Sequence, residues 1–145
     1  MPEIRCSVEV LRGVPVVSAP EEIDIMNSTA LLSALLAAAA LANGNRTFVV
    51  DMTRTRFCDV SGVRTLLAAR KRVQADGGRM LVAVTAAAVL RVFELTGIDA
   101  MIPSFASLDE ALAQSTATTD GSERRRTDDV PESGRPAMGM ADPAA

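Results

Sequence analysis

Phe48-Val49-Val50-Asp51-Met52-Thr53-Arg54-Thr55-Arg56-Phe57-Cys58-Asp59-Val60-Ser61-Gly62-Val63 is the stretch on which the fold of this chain turns. It opens on a short apolar, β-favouring run and becomes polar and basic after Asp51, the pattern of a buried strand emerging into a loop. From Val63 the period changes. Val63, Leu66, Leu67, Arg70 and Val73 recur at helical spacing, with Arg64, Lys71 and Arg72 mostly on the opposite side. The segment closes at Gly77-Gly78, so a strand delivers the loop and a helix leaves it. Asp59 precedes the helical pattern, where its carboxylate can accept a backbone N–H that the first turn leaves unpaired. Ser61 falls in that first turn, at the positive end of the helix dipole, where an added phosphate is tolerated. On chemistry alone, the commoner explanation of a serine there is first-turn polarity.

On the N-terminal side, Ile4 to Leu11 alternates loosely, and Val14 to Val17 follows Arg12-Gly13, which predicts a hairpin with a tight turn. Pro15 implies that the second strand pairs on one side only near its start, or bulges there. Glu22-Ile23-Asp24 leads into a helix, for which Asp24, Asn27 and Ser28 are each a candidate cap or turn residue. The Ala- and Leu-rich Thr29 to Ala42 predicts that helix, with Asn43-Gly44 as its stop. On the C-terminal side come an apolar strand over Met80 to Val84 and a helix over Ala86 to Leu95, with Thr85 as cap and Gly97 as stop. A brief edge strand is expected at Met101-Ile102 before Pro103. A Ser-x-x-Glu capping box at Ser107 and Glu110 opens a last helical turn or two. The alternation predicts an α/β sandwich. Its mixed β-sheet has right-handed crossovers and is packed with helices mainly on one face, with Asp24 and Ser61 sharing one edge.

With 145 residues, 48% of them hydrophobic, the chain supports one domain with a core of its own. Four Phe and no Trp or Tyr make that core aliphatic. Large apolar residues almost vanish from Ser115 onward, so residues 1–114 are expected to form the domain and 115–145 a disordered C-terminal tail. The absence of His excludes histidine-dependent triads and the commonest metal ligand, and no cofactor or metal is expected. Cys6 and Cys58 have no CxxC spacing, and Met1-Pro2-Glu3-Ile4-Arg5 lacks a signal-peptide pattern, which predicts a cytoplasmic protein with free thiols. Ala30 to Ala42 is too short to span a bilayer. Thr53 to Gly78 holds six Arg or Lys against Asp59 and Asp76. With little aromatic surface beside them, and with Arg70, Lys71 and Arg72 accounted for by a solvated helix face, these do not read as a nucleic-acid footprint. Arg outnumbers Lys 14 to 1, the bias of a GC-rich bacterial host.

Phe57-Cys58-Asp59-Val60-Ser61-Gly62-Val63, its helix, Gly77-Gly78, the second apolar strand and Val92-Phe93-Glu94-Leu95-Thr96-Gly97-Ile98 together resemble the anti-sigma factor antagonists of the STAS family. The order and spacing match across most of the chain. The resemblance implies a STAS-like fold in which Ser61 is the residue phosphorylated by a partner anti-sigma factor, itself a serine kinase. It also implies a phosphatase that acts on phosphorylated Ser61. Glu22, Ile23 and Asp24 match a segment whose Asp lies near that serine on the kinase-facing side. The implied contact residues are Asp24, Asp59, Ser61 and Gly62, with Thr55, Arg56 and Arg64 as further candidates. Two positions depart from the family pattern: Val60 stands where relatives often carry a second hydroxyl, and Glu21 replaces a Gly.

Unphosphorylated, such a protein binds the anti-sigma factor and frees a sigma factor for transcription; phosphorylation releases it. Two other classes compare poorly. Asp51 at a strand end is shared with receiver domains, but the acidic pair those need is absent and the single lysine, Lys71, lies mid-helix. A serine hydrolase would need a base for Ser61 and a Gly-x-Ser-x-Gly elbow, and neither is present, so no enzyme activity is expected. The alternative is a non-phosphorylated STAS scaffold or ligand-binding module.

Overall fold

The central strand β4 (Thr47–Met52) is covered on both faces, which is why Phe48-Val49-Val50 at its centre reads as a continuous apolar run and not an alternation. The computed structural model describes residues 6–42 and 46–115. β4 sits in the middle of a five-stranded sheet with β2 (Val14–Ser18) on one side and β6 (Arg79–Val84) on the other, both parallel to it. β1 (Ser7–Leu11) closes one edge antiparallel to β2, and the two-residue β7 (Ser104–Phe105) closes the other parallel to β6. The β1–β2 hairpin turns at Arg12 (φ 53) and Gly13 (φ 77), the pair of left-handed residues that a two-residue hairpin requires. β2 pairs with β4 only over Val16–Ser18, so Pro15 lies before that ladder begins, as its missing N–H requires.

Between the parallel strands run α1 (Ser28–Leu41), α2 (Val60–Ala75) and α3 (Ala87–Thr96). Their buried Leu31, Leu35, Leu66, Val73, Val89 and Phe93 join Phe48, Val50, Met52, Val82 and Val84 in one apolar cluster. The alternate strand residues Val16, Val49, Leu81 and Ala83 point the other way. They are met by Ala111 and Leu112 of a fourth helix, α4, over residues 108–115. Three helices on one face and a short one on the other is the mixed, mainly one-sided sandwich expected from the sequence.

Several local expectations hold. Gly97 ends α3 in the left-handed conformation at φ 81. Ser107 caps α4 as expected, its Oγ accepting from Glu110 N at 3.1 Å, while Glu110 Oε1 reaches one residue further back and accepts from Ala106 N at 3.3 Å. Others are corrected. The edge strand falls after Pro103, at Ser104–Phe105, because Met101 and Ile102 are taken up in the turn that follows the 3₁₀ segment Ile98–Ala100. Ala86, not Thr85, is the N-cap residue of α3, and the Thr85 hydroxyl instead donates to Thr53 O at 3.0 Å. Ser115, expected to begin the tail, is a buried residue of α4 whose hydroxyl donates to Leu112 O at 2.7 Å. The Asn43-Gly44 stop expected after α1 and residues 116–145 of the expected tail lie outside the described residues. Among the described residues no helix is long and apolar enough to cross a membrane.

Candidate functional site at the start of the second long helix

A second, two-stranded ladder builds the site. β3 (Glu22–Ile23) pairs in parallel with β5 (Phe57–Cys58), placing Glu22 opposite Phe57 and Ile23 opposite Cys58. The ladder extends in both directions. Arg56 N and Phe57 N donate to Glu21 O at 2.7 and 3.3 Å, and Asp59 N donates to Ile23 O at 3.1 Å. Asp24 and Asp59 are therefore the residues that follow two paired strands, and the turn before α1 is carried to the same edge as the first turn of α2. Thr55 pins the loop from within: its side chain is fully buried and its hydroxyl donates to Pro20 O at 2.8 Å.

Asp59 is the N-cap of α2, with an extended backbone at φ −96 and ψ −171. One oxygen, Oδ1, accepts from Ser61 N at 2.9 Å, from Gly62 N at 3.2 Å and from the Ser61 hydroxyl at 2.5 Å. The Ser61 hydroxyl has the largest effect on this carboxyl; burial, next in size, opposes it, and the backbone N–H groups of Gly62 and Ser61 add to the hydroxyl, so the carboxyl is held below the usual carboxylate range. Gly62 is buried, and a β-carbon there would stand 2.5 Å from Cys58 Sγ and 2.7 Å from Ile23 Cγ2. Its hydrogen side chain is what lets α2 start directly on the β3–β5 ladder. Cys58 itself is buried, and that burial, with the neighbouring Asp59 charge, pushes its thiol up to about 12.

The turn carrying Asp24 is self-contained. Asp24 Oδ1 accepts from Met26 N at 2.9 Å, and Asp24 O accepts from Ser28 N at 3.0 Å. Asn27 occupies the N-cap position of α1, but its side chain reaches back: Oδ1 accepts from Asp24 N and Nδ2 donates to Glu22 O. This folding of polar groups inward leaves Ile25 and Met26 pointing out, 75% and 77% exposed. Phe57 and Val60, at 49% and 56%, flank Asp59 on the neighbouring strand and helix start. The four form an exposed apolar edge, the kind of surface from which contacts are made.

Of the residues singled out in the sequence, Asp24, Asp59 and Ser61 come together at this edge. Arg56 is exposed beside Glu21, with 3.9 Å between guanidinium and carboxylate, and Arg64 is exposed one turn along α2 from Ser61. Thr55 and Gly62 are both buried, and in this structure they hold the loop and the helix start. Ile25, Met26, Phe57 and Val60 were not singled out as contact residues. The available signal was an apolar pair, Ile25-Met26, between Asp24 and Asn27, in a position where a turn is normally polar. Chemically, the site presents a partly exposed hydroxyl whose proton is held by a carboxylate. Among the described residues no group of three or more His, Cys, Asp or Glu is placed to hold a metal ion.

A family model described as STAS domain matches residues 5–111. An anti-sigma factor antagonist from Mycobacterium paratuberculosis has a solved structure that is 31% identical; the match has a TM-score of 0.68 and covers 77% of this chain and 93% of that one. The Bacillus cell fate determinant SpoIIAA in its phosphorylated form has the same fold at 22% identity and a TM-score of 0.57, covering 77% and 99%. So does a sulfate transporter family protein from Wolinella succinogenes, at 17% identity and a TM-score of 0.64, covering 75% and 89%.

Proposed function

The chain belongs to the STAS domain family, and from that premise we propose that it is an anti-sigma factor antagonist switched by phosphorylation of Ser61. In this reading the unphosphorylated protein, in a bacterial cytoplasm, docks the Ser61 edge on an anti-sigma factor that is also a serine kinase. That frees a sigma factor for transcription. Phosphorylation releases the antagonist, and a phosphatase resets it. The observation that carries the reading is the Ser61 hydroxyl, presented on the first turn of α2 beside the exposed apolar Ile25, Met26, Phe57 and Val60. The apolar side chains supply contact area, and the hydroxyl sits where a kinase bound to that area would meet it.

Phosphorylation adds roughly −1.5 to −2 charge. Placed beside Asp59 and Asp24 within a docked apolar surface, that charge would have to be desolvated and would face like charges, which favours release. Arg56 and Arg64 act at the rim, steering association more than setting affinity. In this reading the protein is a substrate and not a catalyst, and it contacts neither nucleic acid nor membrane directly.

The test is capture from host lysate in the presence of ADP, with wild-type and Ser61→Asp baits, followed by addition of ATP. The wild type is expected to capture a kinase-fold protein that the variant loses, and ATP is expected to release it with phosphate on Ser61. A Ser61→Ala bait should hold that protein through the ATP step. If wild type and Ser61→Asp capture the same proteins and ATP changes nothing, the non-phosphorylated scaffold or ligand-binding reading replaces this one. Val60, where the chain lacks the second hydroxyl that relatives often carry, favours that second reading.

A further inference from the structure

We propose that phosphorylation of Ser61 transfers the cap of α2 from the Asp59 carboxylate to the phosphate and expels that carboxylate from the helix end. Asp59 would then be the positioning residue whose side chain the modification displaces, with the backbone of the helix start held in place. The inference rests on Ser61 being the phosphoacceptor, as proposed above.

The geometry is a competition for one position. Asp59 Oδ1 takes three donors at once, the Ser61 hydroxyl and the N–H groups of Ser61 and Gly62. Before transfer, the hydroxyl donates a hydrogen bond to that oxygen, so the lone pairs of Oγ are free to attack. Phosphoryl transfer from ATP forms the Oγ–P bond, breaks the bond from that phosphorus to the oxygen leaving with ADP, and passes the hydroxyl proton to solvent. One of the three donors is thereby lost. In its place stands a group with strong acceptor oxygens, next to a carboxylate of the same sign and within reach of the same two N–H groups.

The backbone is not free to resolve the conflict. Asp59 N is tied to Ile23 O at 3.1 Å, and Gly62 is seated against Cys58 and Ile23. The Asp59 side chain is attached by rotatable bonds alone, so it is the part that swings out. The charged and titratable groups around the pair include Glu22 on β3 and Asp24 in the turn after it, Cys58 and Arg56 on β5 and its loop, and Arg64 on α2. Arg91 and Glu94 lie on α3, which packs against β5; α1 carries no charged residue. The nearest charge along the chain to the new phosphate is thus Asp59 itself, with no cation before Arg64.

The experiment installs phosphoserine at position 61 during translation of the full chain, so no kinase partner is needed. Phosphorus NMR then follows the second phosphate ionisation, ordinarily at about pH 6, in the wild-type and Asp59→Asn backgrounds. Asn is as good an N-cap as Asp, so folding is retained. The phosphate of the wild-type background is expected to titrate on the order of half a pH unit or more above that of Asp59→Asn. In the phosphoprotein the amide signals of Ser61 and Gly62 should follow the phosphate titration. An Asp24→Asn background should leave the phosphate titration within a small fraction of that shift. Identical phosphate titrations in the first two backgrounds, an equal shift from Asp24→Asn, or amide signals that ignore the phosphate would each overturn the proposal. A failure to capture any kinase would count against the function proposed above and leave this measurement intact.

Discussion

Gly62 and Cys58 are packed so closely that a β-carbon on Gly62 would stand 2.5 Å from the Cys58 sulfur, well inside contact distance. The first turn of α2, and with it the Ser61 hydroxyl, reaches its position because residue 62 has no side chain. Gly62→Ala is expected to cost ~1–3 kcal/mol, the usual range for overpacking a filled site. Adding Cys58→Ala removes the nearest obstructing atom, so the double variant should be more stable than the two single losses predict. Urea denaturation of the four proteins measures the coupling.

The Cys58 thiol should be inert in the native protein. With its pKa pushed up to about 12, the thiolate is scarce at neutral pH. Iodoacetamide at pH 8 is expected to label Cys58 roughly three orders of magnitude more slowly in the folded chain than in denaturant. Peptide mapping that found equal labelling would show that burial does not protect it. The sign of the linked stability follows. The folded state keeps the proton that the unfolded thiol gives up, so this contribution is intact below the ordinary thiol range and is lost as pH rises from there toward about 12.

Asp59→Ala removes the cap and is expected to cost about 1 kcal/mol at neutral pH, whereas Asp59→Asn should cost little. The two differ in acid. The Asp59 carboxyl is held below its unfolded value by the Ser61 hydroxyl and the first-turn N–H groups. Its contribution is therefore present above the ordinary carboxylate range and is lost as pH falls through the depressed value. Thermal melts from pH 7 downward should show less acid sensitivity in Asp59→Asn than in the wild type.

Thr55→Val keeps the shape of a fully buried side chain and deletes its hydrogen bond to Pro20 O. Leaving that carbonyl without its partner is expected to destabilise the protein by ~1–3 kcal/mol. The increase in amide exchange should centre on residues 55–59, the segment the bond holds against β3.

The exposed apolar edge separates stability from binding. Ile25→Ser and Met26→Ser change side chains that are 75% and 77% exposed, so melting should shift little, within about 0.5 kcal/mol. Both should reduce capture of the kinase partner. Leu95→Ser, equally exposed at 73% but on the last turn of α3, is the control expected to leave capture unchanged. Equal loss from all three would point to general stickiness and not a docking edge.

Much of this was legible along the chain because its causes are local. Asp59 capping α2, Gly97 ending α3, the Arg12-Gly13 turn and the Ser107 box each depend on a few consecutive residues and on backbone groups within hydrogen-bond reach. The helix periods and the central apolar strand followed from how many faces each element buries. The edge strand at Ser104–Phe105 was misplaced to Met101-Ile102, since two-residue strands carry no periodicity and are defined by a partner alone.

What the sequence by itself determined is the order of elements, the mixed sheet and the placing of Ser61 in a capped first turn, because short-range hydrogen bonding and hydrophobic period decide them. What only the tertiary structure decided is the company Ser61 keeps. The pairing of Glu22–Ile23 with Phe57–Cys58 joins segments more than thirty residues apart, and two-residue strands leave no pattern to announce it. That ladder buries Thr55 and Gly62, which the resemblance had named among the contact residues, and turns Ile25, Met26, Phe57 and Val60 outward beside the hydroxyl. Burial is a property of what packs against a residue, so it was fixed when the two segments met.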